Sequence, residues 1–533
     1  MAKRSDSDNS FDDKVSPTEH HENVRRGPVS PAERQERMAA ALAIDPGHKA
    51  WSWRAIQVVL ITLCVCCCSG DSGFDGTVMG GINAMTQYQS YFGMSSAGAK
   101  TGIVFGIFTV GALVGAIPAA YLPDRFGRRA SMFFGNSILV IGAAVTATAT
   151  RRSVFIGGRF LTGLGTGCAG ASAKSYLVEI VPPQSRGFWL GVLNSFYYVG
   201  QMTATGMMVS TGRWSNELSW RLPLWIQAVP AGINVLTVFL CPESPRWLYS
   251  RGRKEEARTI LAKLHSGTND PYSPVVEIEM EEIEEKISLD GTDKRFWDFR
   301  GLFKTASDRY RTSMVIMIGA FGQLSGNGLI TYFLPVLLGQ AGITSQNRKL
   351  TLNFVNSVTS MAGALTGSAL VDRFGRRHLL LGSTITLVFM LAIIIGLLSS
   401  HGDTTQANAG ISFIYLFMVI FSFGWTPMQA LYPAEVLSYQ SRAKGLAFLN
   451  VVTQGSSCIN TFGLPVALEK LGWKTYVIFL AWDSFEVVMI YLFMVETKGL
   501  TLEQIDEVFA EPNPRNYSIE HAVTLRAAKP SAA

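Results

Sequence analysis

Asp124-Arg125-Phe126-Gly127-Arg128-Arg129 stands between two apolar stretches, and the same six residues return as Asp372-Arg373-Phe374-Gly375-Arg376-Arg377 between two more. Each flanking stretch runs for roughly 20 residues, the length a helix needs to cross a bilayer core. Other pairs recur in the same order. Tyr176-x-x-Glu179 followed by Arg186 is matched by Tyr432-x-x-Glu435 followed by Arg442, and Glu243 by Glu496. The offsets are 248, 256 and 253 residues, so the chain reads as a duplicated membrane protein whose halves differ by short insertions.

Composition agrees. Of 533 residues 48% are hydrophobic and 16% charged, which places the chain in the membrane class. The charge gathers in three places and leaves two apolar blocks of six segments each. The expected fold is therefore all-α, with 12 transmembrane helices in two pseudo-twofold-related six-helix bundles. The divisions are a disordered tail at 1–54, a first bundle at 55–241, a central loop at 242–312, a second bundle at 313–495 and a tail at 496–533.

Twelve crossings put both termini on one side. Lys and Arg in the short loops balance between the faces, but Arg246, Arg251, Arg253, Lys254, Arg258, Arg300, Lys304, Arg309 and Arg311 flank the central loop. Because cationic loops favour the cytoplasm, the tails and central loop are expected there. Residues 1–54 lack the apolar run of a signal peptide, so the first span is expected to direct insertion. In the central loop, Val276, Met280, Ile283 and Ile287 form one apolar stripe among glutamates, and Arg253 to His265 repeats the pattern. Both predict short cytoplasmic helices under the bundles.

The four cysteines of Cys64-Val65-Cys66-Cys67-Cys68 are not read as a metal site. Neighbouring helical side chains point about 100° apart and cannot converge on one ion. No nucleophile–base pair, phosphate loop or metal spacing is visible, so an enzyme is not expected, nor is a metal or other cofactor. The net charge of +6 reflects inner-face arginines and gives no support to nucleic-acid binding.

Asp75 and Arg159 are ionisable residues inside predicted spans, where charge is costly and marks function. Both fall in the outer half of their helices, at depths where the two can meet.

Pro242-Glu243-Ser244-Pro245-Arg246-Trp247-Leu248, Gly158-Arg159-Phe160-Leu161-Thr162-Gly163 and Glu496-Thr497-Lys498-Gly499 resemble, in order, motifs of the sugar porter family of the major facilitator superfamily. Val495 stands where that family usually has proline. The resemblance covers Trp51 to about Phe509, and implies alternating access to a central site, with a sugar, a proton and the lipid bilayer as partners of a monomer. The segment Gly73-Phe74-Asp75-Gly76 is similar to the first-span motif whose aspartate takes the coupling proton in the family's symporters, so Asp75 and Arg159 are assigned proton coupling. The resemblance also implies a cytoplasmic gate of Asp124, Arg125, Arg128, Glu179, Arg186, Glu243, Arg246, Asp372, Arg373, Arg376, Glu435 and Arg442. Its charges are expected to pair across the seam when the cavity opens outward and to separate when it opens inward. Inside-positive anchoring explains the arginines but not the paired acids.

A polyhydroxylated solute needs amides, hydroxyls and aromatic faces near mid-membrane. By resemblance these are Asn194 and Gln201 in the fifth span, Gln323, Asn327 and Tyr332 in the seventh, Asn356 in the eighth, Trp425 and Gln429 in the tenth and Gln454 in the eleventh. Each amide has a second reading as a bond between neighbouring helices. Gly322, Phe333 and Ala430 replace a glutamine, a tyrosine and a tryptophan common in the family, which widens the site. Together with Ser325-Gly326-Asn327-Gly328 and Asn194, this resembles the fungal lactose-permease and cellodextrin branch and implies a disaccharide or a hexose at a fungal-type plasma membrane. Carriers of polyols or quinate-like acids, and non-transporting sugar sensors, share the same pattern. Lys174 is read as an interfacial, snorkelling lysine.

Overall fold

The computed structural model describes residues 31–49, 51–290, 299–340, 342–399, 404–438, 441–498, 500 and 502–520, without the side chains of a few residues within these ranges, Asp372 among them. The first bundle holds Trp53–Ile82, Ala99–Phe126, Arg128–Ala147, Arg152–Ile180, Arg186–Thr211 and a sixth span in two pieces, Leu218–Ile226 and Ala228–Thr237. The second holds a broken seventh span, Ala306–Leu324 and Asn327–Gln340, then Gln346–Phe374, Arg376–Ser399, Thr404–Val436, Arg442–Leu471 and Thr475–Phe493.

Among the described residues, nine stretches are apolar and long enough to cross a membrane unaided, the last of which, Lys444–Phe493, contains two helices joined by the turn Gly472–Lys474. The fourth and fifth spans fall short because they carry the polar residues of the centre, Arg159, Asn194 and Gln201 among them. They are bundle helices, and packing rather than hydropathy holds them. In the fourth span a Cβ on Gly163 would lie 2.0 Å from the Phe108 carbonyl oxygen, so its glycine is what lets the second span approach. Large apolar side chains such as Leu240, Ile117 and Phe389 lie exposed around the outside, at 84%, 68% and 63%. Apolar surface of this extent suits lipid, not water.

The repeated hexapeptides make the same structure twice. Gly127 and Gly375 adopt φ of +95° and +89°, a region that L-residues with a Cβ avoid. The turn aims the following N–H groups at a carboxylate. Arg128 N donates to Glu243 at 3.2 Å, and Arg376 N to Glu496 at 2.9 Å. Side chains repeat the pattern: Arg128 pairs with Glu179 at 3.1 Å and Arg376 with Glu435 at 2.7 Å. Tyr176 donates to the Pro242 carbonyl at 2.5 Å, and Tyr432 to the Val495 carbonyl at 2.9 Å. A main-chain acceptor explains why valine can stand in the proline position.

On the same face as these turns, hereafter the motif face, lies a small helical layer. Lys254–His265 and Pro274–Asp290 occupy the positions predicted for the central loop, and Val276, Met280 and Ile283 are buried in it with Ala257 and Leu261. Part of the tail expected to be disordered is ordered. Pro31–Ile44 forms a helix on this layer, held by Arg37 to Glu281 at 2.9 Å. Asp45 fixes its end by accepting from Ser266 Oγ at 2.6 Å and Gly267 N at 2.8 Å. The expectation failed because alanine-rich helix and loop acids complement each other only in three dimensions.

Hydrogen bonds between the bundles cluster on the far face, opposite the motif face. Gly98 N donates to the Pro465 carbonyl at 2.9 Å, Thr86 N to Gln346 at 3.0 Å, Gln346 to the Gly212 carbonyl at 2.7 Å and Arg213 to Asn347 at 3.1 Å. The first span meets the outer piece of the seventh, the second meets the eleventh and the fifth meets the eighth. Tyr198 to Thr426, 3.0 Å, joins the fifth and tenth spans near mid-depth.

Candidate functional site

Asp75 and Arg159 meet. Asp75 is 0% exposed and Arg159 2%, and an Arg159 Nη1 donates to Asp75 Oδ1 in a direct ion pair. Gln227, from the junction of the two pieces of the sixth span, donates to the same oxygen at 2.6 Å. The other oxygen, Oδ2, has no partner. Phe108 covers the guanidinium, with its ring centroid 4.7 Å away, which adds a cation–π contact in a desolvated place. A carboxylate with one satisfied and one open oxygen next to a single cation is an arrangement that can take or release a proton.

Beside the pair lies a cavity of about 20 Å³, lined by Asp75, Gly76, Met79, Phe105, Phe108, Thr109, Arg159, Tyr332 and Thr461. That is room for about one water and no sugar. Its walls come from both bundles, and Thr109 and Thr461 touch across it at 3.3 Å. Tyr332, expected to contact substrate, therefore shares a chamber with the ion pair.

The other expected substrate residues divide. Gln201 and Asn356 are buried, Gln323, Asn327, Gln429 and Gln454 are partly buried, and Asn194 is exposed. The Gln323 carbonyl accepts from Asn460, and Gln429 reaches the Gly322 carbonyl only at 3.4 Å. The Asn327 and Asn356 side-chain oxygens are buried without partners, as acceptors awaiting a hydroxyl would be. Trp425 differs from expectation. Its ring is fully buried, its N–H bonds Thr384 of the ninth span at 3.2 Å, and Phe421 stacks on it. Aromatic area here packs two helices of one bundle, so the ring is not offered to solute in this state.

The gate residues lie together on the motif face, and the ion pairs described among them, Arg128 with Asp124 and Glu179 and Arg376 with Glu435, each close within one bundle. Besides the bonds above, Asp124 holds Arg128 at 3.3 Å, Ser244 Oγ donates to Glu179 and Thr497 Oγ1 to Glu435 at 2.6 Å. Arg125 stacks on Tyr121 and Phe126. Arg186 lies in the field of Arg246, Glu282, Glu279 and Glu179. Arg442 reaches the Leu437 carbonyl at 3.4 Å, and the Arg373 carbonyl accepts from Lys498 at 2.5 Å. The Asp372 side chain lies outside the described residues. Lys174 is exposed on the fourth span.

Sequence reasoning missed Gln227, an uncharged amide in an apolar segment that carries no pattern of its own. It also missed Asp483 and Glu486 in the twelfth span, which the rule applied to Asp75 would have found.

Two related six-helix bundles enclosing a buried acid–base pair define a carrier of the major facilitator type. The chain belongs to the family described as Sugar (and other) transporter, which matches residues 61–509. It is 27% identical over 471 residues to the high-affinity glucose transporter of Kluyveromyces lactis, covering 84% of this chain and 85% of that one. An MFS glucose transporter of Aspergillus flavus is 28% identical over 468 residues, covering 82% and 87%. In fold it is similar to the inward open conformation of the xylose transporter XylE from E. coli, with a TM-score of 0.70, 20% identity and coverage of 85% of this chain and 99% of that one.

Proposed function

We propose that this protein moves a sugar together with a proton across a fungal-type plasma membrane, as a monomer, with its termini and motif face in the cytoplasm. Seen so, the structure is the inward-facing state, since the far face is where the bundles touch. The observation that carries the reading is the buried Asp75–Arg159 pair, whose open Asp75 oxygen adjoins a water-sized chamber shared with Tyr332. Protonation of Asp75 weakens its hold on Arg159 and frees the first and fourth spans to move relative to one another. Gln227 keeps the carboxylate in place in the meantime. A proton entering with the solute is supported by the description of a structural relative, XylE, as a proton:xylose symporter. Glucose descriptions among the relatives favour a hexose, while the side chain lost at Gly322 and the ring lost at Ala430 leave space for a disaccharide.

The gate residues support a mechanical role. Ion pairs closed inside each bundle keep it rigid while the bundles rock, and cross-seam pairs form only when the motif face closes.

In cells lacking their own hexose and disaccharide carriers, Asp75→Asn is expected to abolish accumulation of labelled sugar against its gradient while retaining downhill exchange. Unchanged accumulation refutes the coupling role. A panel of glucose, xylose, lactose, cellobiose, glycerol and quinate identifies the solute; absence of uptake for all, with binding retained, points to a sensor.

A further inference from the structure

The twelfth span packs against the ninth, and its buried face runs Tyr476, Phe479, Asp483, Glu486, Ile490. Two of these are acids that the carrier reading does not use. Asp483 and Glu486 are each 0% exposed and, from the far end of the helix, lie ~12 and ~16 Å deep, close to mid-membrane. Both Asp483 oxygens and Glu486 Oε1 have no partner. No charged residue of the seventh, ninth or eleventh span lies at this depth, because their Asp, Glu, Lys and Arg sit at the helix ends. The polar groups beside Glu486 are the Ser325 hydroxyl and the Trp482 indole. Two adjacent carboxylates without a counter-charge in such a place are prohibitively costly.

The contact that gives this pair a consequence is Ser325. It lies at the break in the seventh span, directly before Gly326, whose φ is +83°. Its hydroxyl is within bonding distance of the Phe321 carbonyl and, at 3.2 Å, of Glu486 Oε2. One hydroxyl has one proton. When Glu486 carries a proton, its O–H donates to Ser325 Oγ and Ser325 donates to Phe321, so that the hydroxyl and the Phe321 carbonyl are both satisfied. When the proton leaves to water, Ser325 must turn its own proton to the carboxylate. The Phe321 carbonyl then keeps only the Ser325 N–H, at 3.1 Å, and the last turn before the break loosens.

We propose that Asp483 and Glu486 form a second proton-binding site, in the C-terminal bundle, read out through Ser325 by the break in the seventh span. It rests on the carrier reading but not on the role of Asp75. Asp483 and Glu486 share the same dry space, so no more than one of them ionises and the proton exchanged belongs to the pair. Ser325 is a positioning residue; the solute residues Gln323 and Asn327 flank it and move with it.

The test uses the full chain in lipid nanodiscs. Infrared difference spectra between acidic and alkaline buffer are expected to show a protonated-carboxyl band that is lost in Glu486→Gln, displaced in Asp483→Asn and retained in Asp75→Asn. In counterflow, Glu486→Gln, whose amide donates permanently to Ser325, is expected to hold the exchange rate at its acidic value at every pH. Glu486→Asp restores the dependence. Ser325→Ala removes the readout without touching either acid, so it loses the pH dependence and keeps the band. A band unaffected by the Glu486 and Asp483 variants, or a Ser325→Ala profile identical to the parent's, overturns the proposal. So does a band that changes with sodium at constant pH, which makes the occupant a metal cation. Failure of the Asp75→Asn accumulation test leaves these readouts untouched, so the two proposals fall separately.

Discussion

Asp75 and Arg159 sit where neither is tolerable alone. Removing one member of a buried pair leaves the other desolvated and unpaired, at a cost of about 3–5 kcal/mol. Arg159→Gln is therefore expected to lower the thermal unfolding temperature of the purified protein, and the double change Asp75→Asn with Arg159→Gln to recover most of the loss. Equal instability of the single and double variants would mean that the arginine acts through packing on Phe108 instead. Both residues were legible in the chain because a charge in an apolar span announces itself. Gln227 was not, since an amide has no such signature and its contact with Asp75 depends on how the sixth span packs on the first. Trp425 shows the converse: its neighbours suggest a solute contact, yet the partner that claims its N–H, Thr384, lies 41 residues away.

Among the elements, the helical layer on the motif face contains its own titrating joint. His265 Nδ1 lies 2.7 Å from Glu279 Oε2 and Nε2 lies 2.9 Å from the Ile180 carbonyl, at the end of the fourth span. Both ring nitrogens face acceptors, so the imidazolium satisfies both. Burial opposes that charge and so does Arg186, but Glu279 and the carbonyl outweigh them and raise the His265 pKa above its usual 6.5. A group raised in the folded state stabilises fully below its unfolded value and loses that contribution as pH climbs through the folded one. The parent is expected to exceed His265→Ala in thermal stability most in mildly acidic buffer, with the gap narrowing in alkali. Hydrogen exchange in Lys254–His265 should rise over the same interval; a gap that is constant with pH would rule out titration of His265. The two loop helices were predictable from periodicity. Their docking was not, because His265, Glu279 and Ile180 come from three separate elements.

For the whole molecule, the duplication was the most readable property, since identical turns need identical residues. The state was unreadable: nothing in the chain says which face is closed, because that balance is set by weak contacts such as Thr86 with Gln346, 3.2 Å apart at their side chains. Replacing both by cysteine and oxidising them is expected to hold the far face shut and abolish uptake, with recovery on reduction. Full uptake in the oxidised protein would show that this face does not have to open.

Because Glu243 is clasped by the first hexapeptide turn and Glu496 by the second, neither clasp waits for residues from the opposite end of the chain. The earlier half is thus complete while the later one is still being synthesised, and its insertion does not depend on what emerges from the ribosome afterwards. Two separately encoded polypeptides, parted between the clasps, should accordingly find each other in the bilayer and reconstitute a working carrier.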